Sequence, residues 1–249
     1  MKKSRFSYLE FGDRGKPTLL LLHGAFDSAR MFKKLGSELV GEYHVIALDF
    51  PMIHEQSRIH NTNSLADFVE GFIREIELKK FTLAGFSLGG LVAIEYSCRN
   101  PERVEKLYVL NSFPFFLVSK CEFVLAKLLK PLLICKPVLF SYSLLRTSNM
   151  LRRIMRYPRL SEFTYKRTRK SFISVCGTVI NILDVNLMEK FNKLSVEKIL
   201  ILCKDDHVLK WKRYYKFIEL LDCDIKIFNK GGHALTKNYW KEVEKILVG

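Results

Sequence analysis

Residues 81–98 read FTLAGFSLGGLVAIEYSC. An apolar run, Phe81–Phe86, meets a single serine, Ser87, and then a second apolar stretch that opens with Leu88, Gly89 and Gly90. Gly85 lies just upstream of the same serine. A strand that turns sharply into a helix needs small residues on both sides of the turn, because the residue at its tip is strained and its neighbours must let the backbone close. Such a turn exposes the serine oxygen and leaves the Leu88 N–H at a helix N-terminus, facing any negative charge that develops there. The competing reading is a glycine-rich bend with an incidental serine. The two separate on whether a base and an orienting acid arrive at the same edge of the fold.

Outward from this stretch, short apolar runs alternate with helical patterns. Strands are expected at Thr18–Leu22, Tyr43–Asp49, Phe81–Phe86 and Val104–Asn111, with helices over Leu65–Leu78 and Leu88–Cys98. Wholly apolar strands alternating with helices predict an α/β fold, a mostly parallel sheet with helices on both faces. From Phe113 to about Lys190 the pattern is helical with no convincing strand. Strands return at Lys198–Cys203 and Asp224–Phe228, with helices near Lys210–Leu221 and Tyr239–Leu247. The expected organisation is a core of residues 1–112 and 191–249 interrupted by a helical insertion, 113–190.

A nucleophilic serine needs a base. Of the six histidines, His233 lies in KGGHALTKNYW, between the last strand and the last helix, at the sheet edge where Ser87 would sit. His23, inside HGAF, is expected to fix loop structure; His44 opens a strand, and His54 and His60 lie in a loop. Asp205 and Asp206, in LILCKDDHVL, follow a strand, and either is an orienting acid at that edge, the plain alternative being a polar turn. The loop after the first long strand, His23–Phe26, nominates the Ala25 N–H as the partner of the Leu88 N–H in an oxyanion hole. Phe26, next to Ala25, and Phe86, next to Ser87, are expected to contact substrate or partner.

Composition bounds the function. The chain of 249 residues is 48% hydrophobic and 27% charged, as in a soluble globular protein. Six irregularly spaced cysteines contain no CxxC pair, so neither a zinc site nor a disulfide framework is expected, and no metal or organic cofactor is implied. The N-terminus is too polar for a signal peptide and TLLLL is too short for a membrane span, so the expected location is the cytoplasm. The net charge is +15, and residues 113–190 carry +10 of it, with fourteen Lys/Arg against four Asp/Glu.

The segments LLLLHGAF, LAGFSLGGLVAIEYSCRNPERV and GGHALTKNYWKEV resemble the α/β-hydrolase superfamily over nearly the whole chain. The resemblance implies a Ser–Asp–His triad in that chain order and a helical cap (lid) at 113–190. The family's G-x-x-D turn has Cys203 at its glycine, which assigns the acid to Asp206 rather than Asp205; Asp184 resembles a structural cap-exit aspartate. The usual D-x-P-G-H-G-x-S loop departs here as DFPMIHEQS, Asp49–Ser57, with both glycines lost. GFSLGGLVA with NPERV is most similar to pimeloyl-[acyl-carrier protein] methyl ester esterases. That resemblance implies a carboxylic-ester hydrolase whose acyl group rides on an acidic carrier protein, and a place in biotin biosynthesis.

Charge in the insertion bears on the partner. Between Arg146 and Lys170 lie nine basic residues and one acid, Glu162. In LLRTSNMLRRIMRY, Leu144, Leu145, Leu151, Ile154 and Met155 share one helical face, with Arg152, Arg153 and Arg156 on the others. Such a helix fits an acidic carrier protein, an anionic lipid surface, or simply a solvated basic face; no nucleic-acid motif accompanies it. The stretch 121–145 is apolar but broken by Lys127, Lys130, Lys136 and two prolines, which argues for an acyl-binding wall or cap packing over a membrane helix.

Overall fold

A run such as TLLLL has no polar face to offer water, so a strand built from it must be covered on both sides. In the computed structural model, which describes residues 5–53, 58–116, 128 and 169–249, Thr18–Leu22 is strand β2 with every residue buried. The same holds for β3, His44–Leu48, and β4, Phe81–Phe86. Strands β5 (Val104–Leu110), β6 (Glu197–Cys203) and β7 (Asp224–Phe228) complete the parallel part of the sheet. A seventh strand, β1 (Tyr8–Phe11), pairs antiparallel with β3 at the edge. Sequence reading missed β1, because three half-buried residues with the exposed Glu10 among them give no apolar run.

The sheet order is β1-β3-β2-β4-β5-β6-β7. β2 lies between β3 and β4, so the chain leaves β2 toward one side of the sheet and leaves β4 toward the other. A reversal of this kind marks the carboxyl edge where open α/β sheets bind ligands. Register keeps that edge level. Leu22 pairs with Gly85, Phe86 with Leu110, Leu110 with Ile201, and Cys203 with Phe228. The loops that begin at His23, Ser87, Asn111, Lys204 and Asn229 therefore all start on one rim.

One sheet face packs Leu19, Leu21, Ala84, Phe86, Tyr108 and Ile201 against Leu35 of helix α1 (Lys33–Glu38) and against the C-terminal residues Leu235, Val243 and Leu247. On helix α2 (Thr62–Glu75) the buried positions Leu65, Ala66, Val69, Phe72 and Ile73 follow the helical period. Helix α3 (Leu88–Arg99) is different: everything from Leu88 to Ser97 is buried, so α3 runs through the interior. Its one buried acid, Glu95, is paired with Arg99 Nε at 2.9 Å and with Lys190 Nζ at 3.5 Å.

The chain divides into two compact units. The first comprises Met1–Phe50, Thr62–Leu117 and Asp184–Gly249, and holds the whole sheet. Phe113 and Phe115 are buried within it, Phe115 forms an antiparallel bridge to Asn186, and helix α5 (Met188–Lys193) follows. The ends of the expected 113–190 insertion thus pack in this unit. The second unit comprises Pro51–Asn61 and Val118–Leu183. Its described helix, α4 (Arg169–Ile182), carries a polar stripe at Ser171, Ser174, Thr178 and Asn181. Ser171 Oγ donates to the Ile53 carbonyl (3.3 Å) and Ser174 Oγ to that of Arg58; Thr178 Oγ1 accepts the His60 N–H (3.0 Å), and Asn181 Nδ2 donates to the His60 carbonyl (2.9 Å). A glycine, Gly177, lets the helix approach Ile59, whose Cδ1 would lie 2.5 Å from a Cβ placed there. Ile53, Arg58 and His60 are thus held by side-chain hydrogen bonds from α4.

Sheet burial sets a stability expectation. Leu21→Ala, in a fully buried position, is expected to lower the unfolding free energy by about 3 kcal/mol. Val248→Ala, at a half-exposed position, should change it by less than about 0.5 kcal/mol. Urea denaturation midpoints at unchanged m-value read both.

Candidate active site

The tip of the β4–α3 turn is Ser87, with φ 52° and ψ −117°, a conformation that a non-glycine residue adopts only under strain of about 1–3 kcal/mol. Its N–H donates to the Leu110 carbonyl (3.0 Å) and its carbonyl accepts the Gly90 N–H (2.9 Å). The glycines make the turn possible by close approach. A Cβ on Gly85 would stand 2.2 Å from the Gly89 carbonyl oxygen, and one on Gly89 would stand 2.2 Å from that of Leu22. Leu88 is the first residue of α3, so its N–H has no acceptor within the helix and lies at the positive end of the helix dipole.

Ser87 Oγ is 3.0 Å from His233 Nε2. His233 Nδ1 is 2.7 Å from Asp206 Oδ2. Both His233 and Asp206 are buried, which shields the pair from competing water. The other carboxylate oxygen, Asp206 Oδ1, accepts the N–H groups of Val208 (2.8 Å) and Leu209 (2.9 Å). Asp206 thus accepts at both oxygens, so Nδ1–H of His233 is the donor and Nε2 is left to accept the Ser87 hydroxyl proton. The Phe86 ring packs 5.1 Å from the imidazole, and the His207 ring lies 6.3 Å from it.

The loop of His233 is tied on two sides. Asp205 Oδ1 accepts the Gly232 N–H (2.8 Å) and Oδ2 the Gly231 N–H (3.3 Å). Asn111 Nδ2 donates to the carbonyls of Gly232 (2.7 Å) and His233 (2.9 Å). The two aspartates of KDDH therefore divide the work: Asp206 meets the imidazole, Asp205 the backbone that carries it.

His23 is fully buried. Phe50 N–H donates to its Nε2 (2.9 Å), so Nδ1 carries the proton and donates to the Gly24 carbonyl (2.7 Å). A neutral imidazole satisfied at both nitrogens is a structural strut, as expected for this position, and the 4.0 Å approach of Asp49 Oδ1 to Nε2 adds no ion pair. Asp49 instead accepts the Ala29 N–H (2.7 Å) and the Ser7 hydroxyl (2.9 Å). The pinned turn brings Gly24 so close to the elbow that a Cβ on it would lie 3.3 Å from Ser87 Cβ and 2.9 Å from the Phe86 ring. Ala25, the next residue, is buried beside them, and Phe26 is half-buried. Phe86 is a core residue, 3% exposed, whose visible task is to pack against His233.

Ser87, Asp206, His233, Leu88 and the Gly24–Ala25 turn are thus brought to one rim of the sheet. Arg152, Arg153, Arg156, His54 and Ser57 lie outside the described residues. Sequence reading missed Asn111, whose only signal was an asparagine at a strand end, and the loop-holding contacts of Asp205. Among the described residues no cluster of three or more His, Cys, Asp or Glu could hold a metal ion, and no helix is long and apolar enough to cross a membrane. The four described cysteines are free thiols. Burial pushes Cys176 and Cys203 up to about 12 and Cys223 to about 11, so these side chains stay protonated and unreactive at neutral pH.

A family profile described as the α/β hydrolase fold matches residues 17–130. A serine hydrolase-like protein of Mus musculus is 35% identical over 116 residues, 44% of this chain and 37% of that protein. Epoxide hydrolase 4 of Homo sapiens is 36% identical over 115 residues, 44% of this chain and 32% of its own length. The matched region thus spans about a third of the length of these relatives. Among solved structures, a thermophilic esterase from Thermogutta terrifontis superposes with a TM-score of 0.78 at 15% identity, covering 97% of this chain and 91% of the other. The chain has the α/β-hydrolase fold, with a seven-stranded, mostly parallel sheet flanked by helices.

Two outcomes follow from this geometry. Gly89→Ala is expected to destabilise the protein by about 3 kcal/mol, read by denaturant unfolding, because the clash is with backbone that cannot yield. In the native protein at pH 8, Cys176, Cys203 and Cys223 should alkylate with iodoacetamide far more slowly than after unfolding, read by peptide mass spectrometry.

Proposed function

We propose that the protein is a serine hydrolase of carboxylic esters. The observation that carries this reading is the hydrogen-bonded line Asp206–His233–Ser87, ending on an oxygen held at a strained turn, 3.0 Å from the imidazole. In the proposed reaction Ser87 Oγ attacks the ester carbonyl while His233 Nε2 takes its proton. Asp206 keeps the imidazole oriented and stabilises the imidazolium. The N–H groups of Ala25 and Leu88 receive the negative oxygen of the tetrahedral intermediate. The intermediate collapses, the alcohol leaves with the proton from His233, and an acyl-serine remains. Water, deprotonated by His233, then attacks the acyl-serine; the carboxylic acid departs and Ser87 regains its proton. No metal or organic cofactor enters this scheme.

The finer reading is a methyl ester whose acyl chain is borne by an acyl carrier protein. It rests on the motif resemblance and on the basic residues of 113–190, Arg152, Arg153 and Arg156 among them, which suit an acidic partner. In this reading 113–190 acts as a cap over the core and the enzyme works in the cytoplasm. An alternative substrate class is a lipid or small ester at an anionic membrane surface, which the same charge would favour. A different class altogether is a binding protein that has kept the fold without catalysis.

Labelling with a fluorophosphonate probe separates these. The wild-type protein should label at one site, Ser87→Ala should not, and His233→Ala should label at least about a thousandfold more slowly. A folded wild type that stays unlabelled, or a Ser87→Ala variant that labels equally, refutes the nucleophile. For substrate, a panel of methyl esters, free and carrier-bound, should show the carrier-bound form preferred. Affinity for the carrier should fall with added salt and on charge reversal at Arg152, Arg153 and Arg156, and salt-independent binding would remove the charge argument.

A further inference from the structure

The segment Gly231–Gly232–His233 has little conformational preference of its own. Gly231 has φ 149° and Gly232 φ 63°, and paired glycines leave the backbone free to wander. Yet the residue they carry must keep its imidazole within hydrogen-bond reach of Ser87 Oγ and Asp206 Oδ2 at once. Four hydrogen bonds from two distant parts of the chain supply the missing constraint. Asp205, on the β6 loop, accepts both glycine N–H groups; Asn111, at the end of β5, donates to the carbonyls of Gly232 and His233.

Asn111 is an unusual residue to find here. It is fully buried, it adopts φ 40°, and its Oδ1 finds no hydrogen-bond partner among the described residues. An apolar side chain would fill the space without leaving an oxygen unpaired, but it would strand two carbonyls. The amide supplies a pair of N–H donors, and both carbonyls that Nδ2 meets belong to the segment that bears His233, while the same side chain also hydrogen-bonds the Cys203 thiol. Asparagine also tolerates the left-handed backbone better than a larger residue would.

We propose that Asn111 and Asp205 are positioning residues that clamp the Gly231–His233 backbone from its carbonyl side and its N–H side, holding the imidazole in its reactive place. The proposal rests on the serine-hydrolase reading above. Neither residue touches a reacting atom; both act through His233. Misplacing a general base by a fraction of an ångström slows the chemical step while leaving substrate binding intact.

The test uses the full chain, a chromogenic p-nitrophenyl ester and fluorophosphonate titration of active sites. Asn111→Asp keeps the shape and removes the N–H donors; Asp205→Ala removes both acceptors; Asp205→Asn leaves one oxygen. The expected result is kcat per titrated site lowered about 10–100-fold in Asn111→Asp and Asp205→Ala, with KM within about twofold and partial recovery in Asp205→Asn. Wild-type kcat per titrated site in folded variants overturns the clamp alone. So does failure of both isosteric variants to fold, since the two residues would then be structural. A wild-type protein that is not labelled at Ser87 overturns the hydrolase reading itself and the clamp with it, a separate and recognisable outcome. Should Asp205→Ala fail to fold, the two isosteric variants decide.

Discussion

The architecture of the site depends on how closely backbone can pass backbone at the β4–α3 turn. Ser87 can hold φ 52° only because Gly85, Gly89 and Gly90 let the incoming strand, the outgoing helix and the end of β2 meet without side chains between them. That contact places Leu22 and the His23–Ala25 turn against the elbow. It also sets α3 so deep in the interior that its first ten residues are all buried. The strain at Ser87 is small beside the packing of β4 and α3 that enforces it, which is why one residue can be kept in so unfavourable a conformation.

Sheet order turns this local geometry into a site. Because β2 lies between β3 and β4, the chain leaves β2 and β4 toward opposite sides of the sheet, and Ser87 stands on the rim where it does so. β6 and β7 then bring Asp206 and His233 to the same rim from more than a hundred residues further along the chain. Each partner is held by groups other than those it would act on. Two backbone N–H groups fix the Asp206 carboxylate, the Phe86 ring backs the imidazole, and Asp205 with Asn111 fixes the loop. Rigid support of this kind lets reactive groups meet without a reorganisation cost at the moment of reaction.

The polar stripe of α4 shows the same economy in the second unit. Ile53, Arg58 and His60 carry backbone groups whose partners are side chains of another segment. Ser171, Ser174, Thr178 and Asn181, spaced to share one helix face, provide the partners. A helix with such a stripe looks weakly amphipathic in sequence, because its polar side is turned to protein and not to water. This kind of pattern defeats a reading based on hydrophobic periodicity.

Legibility in the sequence followed the range of the physical cause. Strands β2 to β6 were readable because their largely continuous burial demands apolar residues, and β7, a mostly exposed edge strand, still shows Ile225, Ile227 and Phe228, whereas β1 is an edge strand held by pairing to β3 and carries no apolar run. The elbow was readable because its glycines are a short-range steric requirement. Even the choice of Asp206 over Asp205 came from the chain, through resemblance. What sequence could not supply was the second contact of each residue: that Asp205 also serves His233, that Asn111 reaches across from β5, and that the segment after Asp49 is tied to α4. The chain by itself determined which residues must be buried and where it must bend, because those are properties of neighbours. Only the tertiary structure decided which polar groups pair, because a hydrogen bond depends on a few tenths of an ångström between segments that the sequence holds far apart.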